Sequence, residues 1–344
     1  MTEFDDITGL AHGTFGIATL RGQERAFPAL VQSDGTVHDL SERWSDTHAI
    51  LDDWDRSLDA LVAIADRGGE TGLRFEDLSS LPPLAHPNIL GAGANYRQHV
   101  AEMMTHNLAT QHLREPGESD EEFFERNLEA VDRRAREGIP FFWTGLHSSL
   151  CGADDDVPIP VVGAQLDWEL ELGVVISAGG RLLTPDETEH IIAGYVMVND
   201  LGTVDEFRRT DVYWGYDWVS KHQPNFKPAG PFIVPKHFVD RDRIRIGLRV
   251  NGDVMQDWPV TDMIFSPEQL LAYASERIHL TPGDLLITGS PPGNAASHGG
   301  RWLRPGDIID SELTYLGRQR NRVVAEDGEG RTPTFGPFPT HTSS

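Results

Sequence analysis

The stretch LDWELELGVVI, Leu166 to Ile176, carries acids at Asp167, Glu169 and Glu171 and large apolar residues at most of the positions between them. Alternation with period two is the signature of a strand. Leu166, Trp168, Leu170, Leu172, Val174 and Ile176 are therefore expected on one face and the three acids on the other. Neighbours on one face lie about 6.5 to 7 Å apart along the backbone, within reach for two glutamates to converge on one point. Carboxylates in such a row repel one another unless solvent, basic side chains or a cation neutralises them. A second apolar strand, IIAGYVMVND, ends in Asn199-Asp200 where a loop begins, a common place for functional groups. Glu169, Glu171 and Asp200 are thus candidate ligands for a hard divalent ion. Oxygen donors favour Mg²⁺ or Mn²⁺ in octahedral geometry, with Ca²⁺ as the alternative at longer distances.

Other stretches supply complementary chemistry. In NYRQHVAEM, His99 and Glu102 are three apart and share a face if the segment is helical, which suits either a general base for water or an incidental surface pair. Lys221 in WVSKHQPNFKPAGPF, with Arg208 and Arg209 nearby in sequence, suits a substrate carboxylate or a developing enolate; each alone is an ordinary surface cation. ITGSPPGN brings Thr288, Gly289 and Ser290 into a Gly/Pro-rich turn, fit for an anionic oxygen or simply a tight loop. GAGANY lacks the third glycine of a dinucleotide fingerprint, and TGSPPGN lacks the Gly-Lys-Ser/Thr of a phosphate loop. Gly-x-Ser-x-Gly is absent, and Cys151 has no evident activating partner.

A chain of 344 residues, 39% of them hydrophobic, can bury a large core. Acids outnumber bases 54 to 29, giving a net charge of −25 that argues against nucleic acid or an anionic membrane as partner. The amino terminus MTEFDDITGL has no leader pattern, and no run approaches the roughly 18 apolar residues of a membrane span, so a cytoplasmic location is expected. The single cysteine excludes an intramolecular disulfide.

Turn signals divide the chain. Residues 14–41 read as a small sheet with a hairpin at Asp34-Gly35, and Asp46 to Ala65 has the apolar spacing of one helix. The prolines of SLPPLAHPNIL mark a junction, so residues 1–85 are expected to form a small N-terminal α/β domain and 86–330 a strand-rich catalytic domain, with 331–344 as a polar tail. Predicted strands include Ile191 to Val198, Gly230 to Val234, Ile244 to Val250, Asp284 to Thr288 and Ile308 to Leu313, with an Asn251-Gly252 turn. SPEQ, Ser266 to Gln269, opens a helix with a capping box. An insertion of about 103–140 carries a second box, Ser119 with Glu122, and an apolar stripe of Phe124, Leu128, Val131 and Ala135. It suits a surface helix or an active-site lid.

In this order the motifs resemble the fumarylacetoacetate hydrolase family, over roughly Asn88 to Val324. NILGAGANYRQHVAEM is similar to its Gly-x-Asn-Tyr-x-x-His-x-x-Glu segment, LDWELELGVVI to its acidic strand, GYVMVND to its second metal segment, and KHQPNFKPAGPFIV to its catalytic-lysine stretch. The resemblance implies an α+β, mostly β fold with a mixed β-roll, commonly dimeric. It implies Mg²⁺ or Mn²⁺ on Glu169, Glu171 and Asp200, and catalysis by His99, Glu102 and Lys221. Tyr96, Arg208, Thr288, Gly289 and Ser290 would then contact a small dicarbonyl or 2-oxo acid, cleaved hydrolytically at a C–C bond. Decarboxylation, tautomerisation, hydration or dehydration is the alternative on the same scaffold, and a non-catalytic metal-binding module a third. Two positions depart from the family pattern: Val204 stands where an arginine is frequent, and Thr144 where a lid lysine is expected. Phe123, Phe124, Phe141, Phe142 and Trp143 suit a pocket for a bulkier substrate or a place in the core.

Overall fold

The run Leu170–Ile176 lies at the heart of a six-stranded sheet, because every residue in it is buried and neither edge is free. In order across this sheet come Val234–Pro235, Ile192–Asn199, Leu170–Ile176, Leu285–Ile287, Ile89–Gly93 and Phe141–Gly145. Leu285–Ile287 runs parallel to Ile89–Gly93, while the other neighbours are antiparallel. A computed structural model describes residues 6–23, 25–68, 71–106, 108–207, 211, 218–328 and 330–336. Arg208 and Arg209 lie outside the described residues, as does the tail from residue 337.

The direction of these strands positions the site. The start of Leu170–Ile176 faces the end of Ile192–Asn199, with Leu170 opposite Asn199. Leu285–Ile287 and Ile89–Gly93 finish at the same rim. Glu169 and Glu171, Asp200, the 288–290 turn, and the Tyr96 and His99 segment therefore all emerge along one edge of one sheet. Close packing beneath the rim needs glycine: a Cβ on Gly173 would approach Val196 Cγ1 to 2.7 Å, and one on Gly91 would strike the Trp143 ring at 2.1 Å.

A five-stranded sheet follows the order Asp253–Pro259, Arg245–Val250, Ile308–Leu313, Gly317–Ala325, Val157–Ile159. Its first hairpin turns on Asn251 and Gly252, at φ 54° and 89°, the left-handed pair that an Asn-Gly turn favours. Near the amino end, Phe15–Arg21 pairs with Ala26–Gln32 and Ser79–Leu81, and Val37–Asp39 completes the sheet through the expected Asp34-Gly35 turn. Phe15, Ile17 and Leu30 share a core with Ile89, Val175, Val196 and Ile287, so this sheet is packed onto the six-stranded one. Among the described residues no helix is long and apolar enough to cross a membrane.

Several sequence expectations change. The single helix over Asp46 to Ala65 is two, Thr47–Leu51 and Trp54–Arg67, because Asp53 leaves helical geometry at φ −135°, ψ 65°. Gly230 to Val234 contributes strand only as Val234–Pro235. Both boxes form in full: Ser119 and Ser266 accept from the amides of Glu122 and Gln269, whose side chains accept from the cap amides in return. In helix Asp120–Glu137 the buried positions are Phe123, Asn127, Leu128 and Val131, so the stripe centres on Phe123 rather than Phe124. Phe123 packs with the guanidinium groups of Arg114 and Arg126 at 4.9 and 5.0 Å from its ring, a contact that apolar periodicity does not reveal.

A candidate metal centre at the sheet rim

The acidic strand is interrupted. Leu166–Asp167 and Leu170–Ile176 are separate strands, and side chains replace the missing ladder between them. Glu169 N donates to Asn199 Oδ1 at 3.0 Å and Leu170 N to Gln256 Oε1 at 3.0 Å. The break removes Asp167 from the acidic row: its Oδ1 accepts from Trp168 N and Ala295 N, both at 2.8 Å. Burial pushes the Asp167 carboxyl up to about 7. Three acids in one row thus become two from the strand and Asp200 from the neighbouring loop. Ligand oxygens of Glu169, Glu171 and Asp200 lie within 4.8 Å of one another.

Two ammonium groups hold this cluster. Lys221 Nζ donates to Glu169 Oε2 at 2.7 Å and to the Asp200 carbonyl at 2.8 Å, and sits 3.0 Å from Asp200 Oδ2. Lys227 Nζ donates to Asp200 Oδ1 at 2.6 Å and to the Lys221 carbonyl at 2.7 Å. Burial raises the Glu169 and Glu171 carboxyls, Glu171 far above the usual range with the charge of Asp200 adding to it. Asp200 goes the other way: burial resists its ionisation, but Lys221 and Lys227 outweigh it and keep the carboxylate charged.

The turn after Ile287 serves the same cluster. Gly289 N donates to Glu171 Oε2 at 2.6 Å, with Gly289 at φ +96°, where a side chain would be strained. Thr288 Oγ1 donates to the Leu172 carbonyl, and Ser290 Oγ bonds to Pro291 O, Asn294 Oδ1 and Gln256 Nε2. The polar groups of this turn are engaged in positioning the rim. Asn95 fixes it from below, donating to Thr288 O and Phe265 O and accepting from Phe265 N.

His99 and Glu102 lie on helix Arg97–His106. Glu102 Oε1 accepts from Gln98 Nε2 at 2.8 Å, and among the described residues no hydrogen bond joins it to His99. Burial, then the Lys221 charge, lowers the His99 imidazolium to about 4, leaving the ring neutral at pH 7. Tyr96 is buried, and its hydroxyl makes no hydrogen bond among the described residues. Burial, and after it the nearby Glu171, raises this phenol well above its usual range, so it stays protonated. Cys151 is buried and its thiol is pushed up by burial, consistent with packing. Lys227 and Gln256 escaped the sequence reading, and Asn95 entered it only as a letter of the Gly-x-Asn-Tyr motif, without a role. The only hint for Lys227 was a lone charge between Phe226 and Pro228 in an apolar run.

The donor set fits a hard divalent cation. It consists of carboxylate oxygens alone, drawn within 4.8 Å of one another, and three carboxyl groups outnumber the two ammonium groups that face them.

This rim and the sheet beneath it are those of an enzyme family. Residues 88–324 match the fumarylacetoacetate hydrolase C-terminal family model, and the chain belongs to that family. Among its relatives, the 2,4-didehydro-3-deoxy-L-rhamnonate hydrolase of Sphingomonas sp. (strain SKA58) is 31% identical over 308 residues, 88% of this chain and 93% of the relative. The human mitochondrial oxaloacetate tautomerase FAHD2A is 33% identical over 188 residues, 54% of this chain and 59% of that protein. In structure, maleylpyruvate hydrolase from Sphingobium sp. SYK-6, in complex with manganese(II) and pyruvate, matches with a TM-score of 0.69 at 19% identity over 91% of this chain and 100% of that one. Fumarylacetoacetate hydrolase from Exiguobacterium antarcticum gives 0.66 at 22% identity, over 91% and 100%.

Proposed function

We propose that the chain is a divalent-metal-dependent hydrolase that cleaves a C–C bond in an acylpyruvate or β-diketone. The observation that carries this reading is the convergence of Glu169, Glu171 and Asp200 at a rim where Lys221, bonded to Glu169, also acts on the His99 imidazole. Those three carboxylates would hold Mg²⁺ or Mn²⁺. When bound, the ion supplies Lewis acidity toward the substrate's paired oxygens. His99, unprotonated at pH 7, takes a proton from water, and the resulting hydroxide adds to the distal carbonyl carbon. Cleavage of the bond between that carbon and its α-carbon yields a carboxylic acid and an enolate, which is protonated to the second product. Lys221, an ammonium 2.7 Å from Glu169, would be the cation that meets developing enolate charge. Tyr96, its buried phenol held protonated, would offer its hydroxyl to a substrate oxygen. The likeness along nearly the whole length to a hydrolase of a didehydro-deoxy sugar acid supports a 2,4-dioxo acid as the substrate class.

A specific observation favours a second reading, keto–enol tautomerisation of a 2-oxo diacid. Glu102 is bonded to Gln98 rather than to His99, so the imidazole lacks the carboxylate that would strengthen it as a base for water. The partial match to oxaloacetate tautomerases points the same way. The test supplies metal-stripped protein with Mg²⁺ or Mn²⁺ and a panel of acylpyruvates, β-diketones and oxaloacetate, and identifies products directly. Pairs of acids formed only with metal support hydrolysis. Enol–keto conversion without cleavage supports the second reading, and no turnover of any of them sinks both. The same reading includes a homodimer, which light scattering of the purified chain tests.

A further inference from the structure

Lys227 is the most deeply buried cation of the rim, with no exposed surface, and the chemistry above makes no use of it. A lysine in an apolar interior is expensive unless each donor finds a partner. Here two donor directions end on Asp200 Oδ1 and the Lys221 carbonyl, and the Trp143 ring lies 4.9 Å away on a further side. Space for its stem is built in: a Cβ on Gly145 would come within 3.4 Å of Lys227 Cε. Asp200 therefore has both side-chain oxygens beside ammonium groups, Oδ1 by Lys227 and Oδ2 by Lys221. The charge count of the cluster is three carboxylates against two lysines. Lys221 also reaches Glu169 and lies 5.6 Å from the Phe207 ring, whereas among the described residues the hydrogen bonds of Lys227 go to Asp200 and main chain alone.

We propose that Lys227 is a built-in counter-cation that keeps the carboxylate cluster assembled without metal and thereby limits how tightly a divalent ion binds. It is a positioning residue: it acts on the ion through Asp200. Affinity of an oxygen site rises with the negative charge its ligands present, so one ammonium on a ligand oxygen opposes the incoming ion. The inference rests on the metal reading of Glu169, Glu171 and Asp200.

The test titrates chelator-stripped protein with Mn²⁺ alone, by calorimetry and by thermal shift, in the original chain, Lys227→Met and Lys227→Gln. Methionine matches the stem and suits the apolar surroundings; glutamine keeps a donor but removes the charge. Both variants should bind Mn²⁺ on the order of tenfold more tightly and melt at lower temperature than the original chain when metal-free. Unchanged or weaker binding in a variant with native circular dichroism overturns the proposal, and if methionine prevents folding the glutamine variant decides. An original chain that binds no Mn²⁺ at millimolar concentration defeats the metal reading itself, an outcome distinct from binding that Lys227 does not influence.

Discussion

The sheet rim and the two helices beside it are built on opposite principles. At the rim, Glu171, Asp200, Lys221 and Lys227 are buried and held by partners drawn from across the chain. The helices Arg97–His106 and Asp120–Glu137 pack on each other, and much of what joins and braces them is exposed: Arg97 pairs with Asp132 at 2.5 and 2.9 Å, Arg126 with Glu118, Arg114 with Asp120. Arg134 reaches the Ala94 carbonyl at 2.6 Å. Buried charge networks are costly to disturb, whereas half-exposed ion pairs contribute little and can be exchanged for water. The difference predicts a rigid rim and a more adjustable helix pair, although His99 itself belongs to the helix pair.

That contrast can be broken in order of expected effect. Glu171→Ala should lower metal-dependent turnover roughly 1,000-fold, because it removes a ligand and strands the Gly289 amide; full activity after chelator treatment and metal readdition would refute the site. His99→Ala should cost hydrolysis about 100-fold while sparing a tautomerase activity, a split that product analysis reads directly. Asn95→Ala touches neither metal nor substrate yet leaves buried partners unpaired, so it should destabilise the fold by about 2 to 3 kcal/mol in denaturant melts. A loss near zero would show the rim needs no clamp.

A pH profile sharpens the placement of His99. Its folded value of about 4 lies below the ordinary histidine value of about 6.5, so the unfolded chain binds the proton more readily between the two. This group's contribution to stability is therefore present above about 6.5 and lost as pH falls toward 4. Likewise the limb of kcat/KM that His99 sets should lie near 4; an acid limb at 6.5 means an ordinary, solvated histidine. The smallest effect belongs to the cover. Asp132→Ala should change global stability by less than about 1 kcal/mol but speed amide exchange in Asp120–Glu137, which a bound substrate should slow in the original chain. Equal exchange with and without ligand contradicts an adjustable cover.

Local signals in the sequence were legible where local physics decides. The Asn251-Gly252 hairpin, both serine boxes and the acids Glu169, Glu171 and Asp200 all follow from short-range patterns. What could not be read were partners far apart in the chain. Asn95 bonds across 170 and 193 residues, Gln256 reaches Leu170 across 86, and Lys227 finds Asp200 across 27. Each looks like a loop or surface residue until the sheet brings its partner near. Asp167 misled for the reverse reason: perfect alternation hid a break created by the Asn199 and Gln256 side chains.

The parallel pairing of Ile89–Gly93 with Leu285–Ile287 joins residues 196 positions apart, Leu285 facing Ile89. Closing so long a loop is slow relative to hairpins, and the Gly289 amide reaches Glu171 only from the end of that second strand. Ion uptake thereby becomes a clock for completion of folding: in refolding experiments, strong Mn²⁺ binding should appear last, after helix and hairpin signals have saturated.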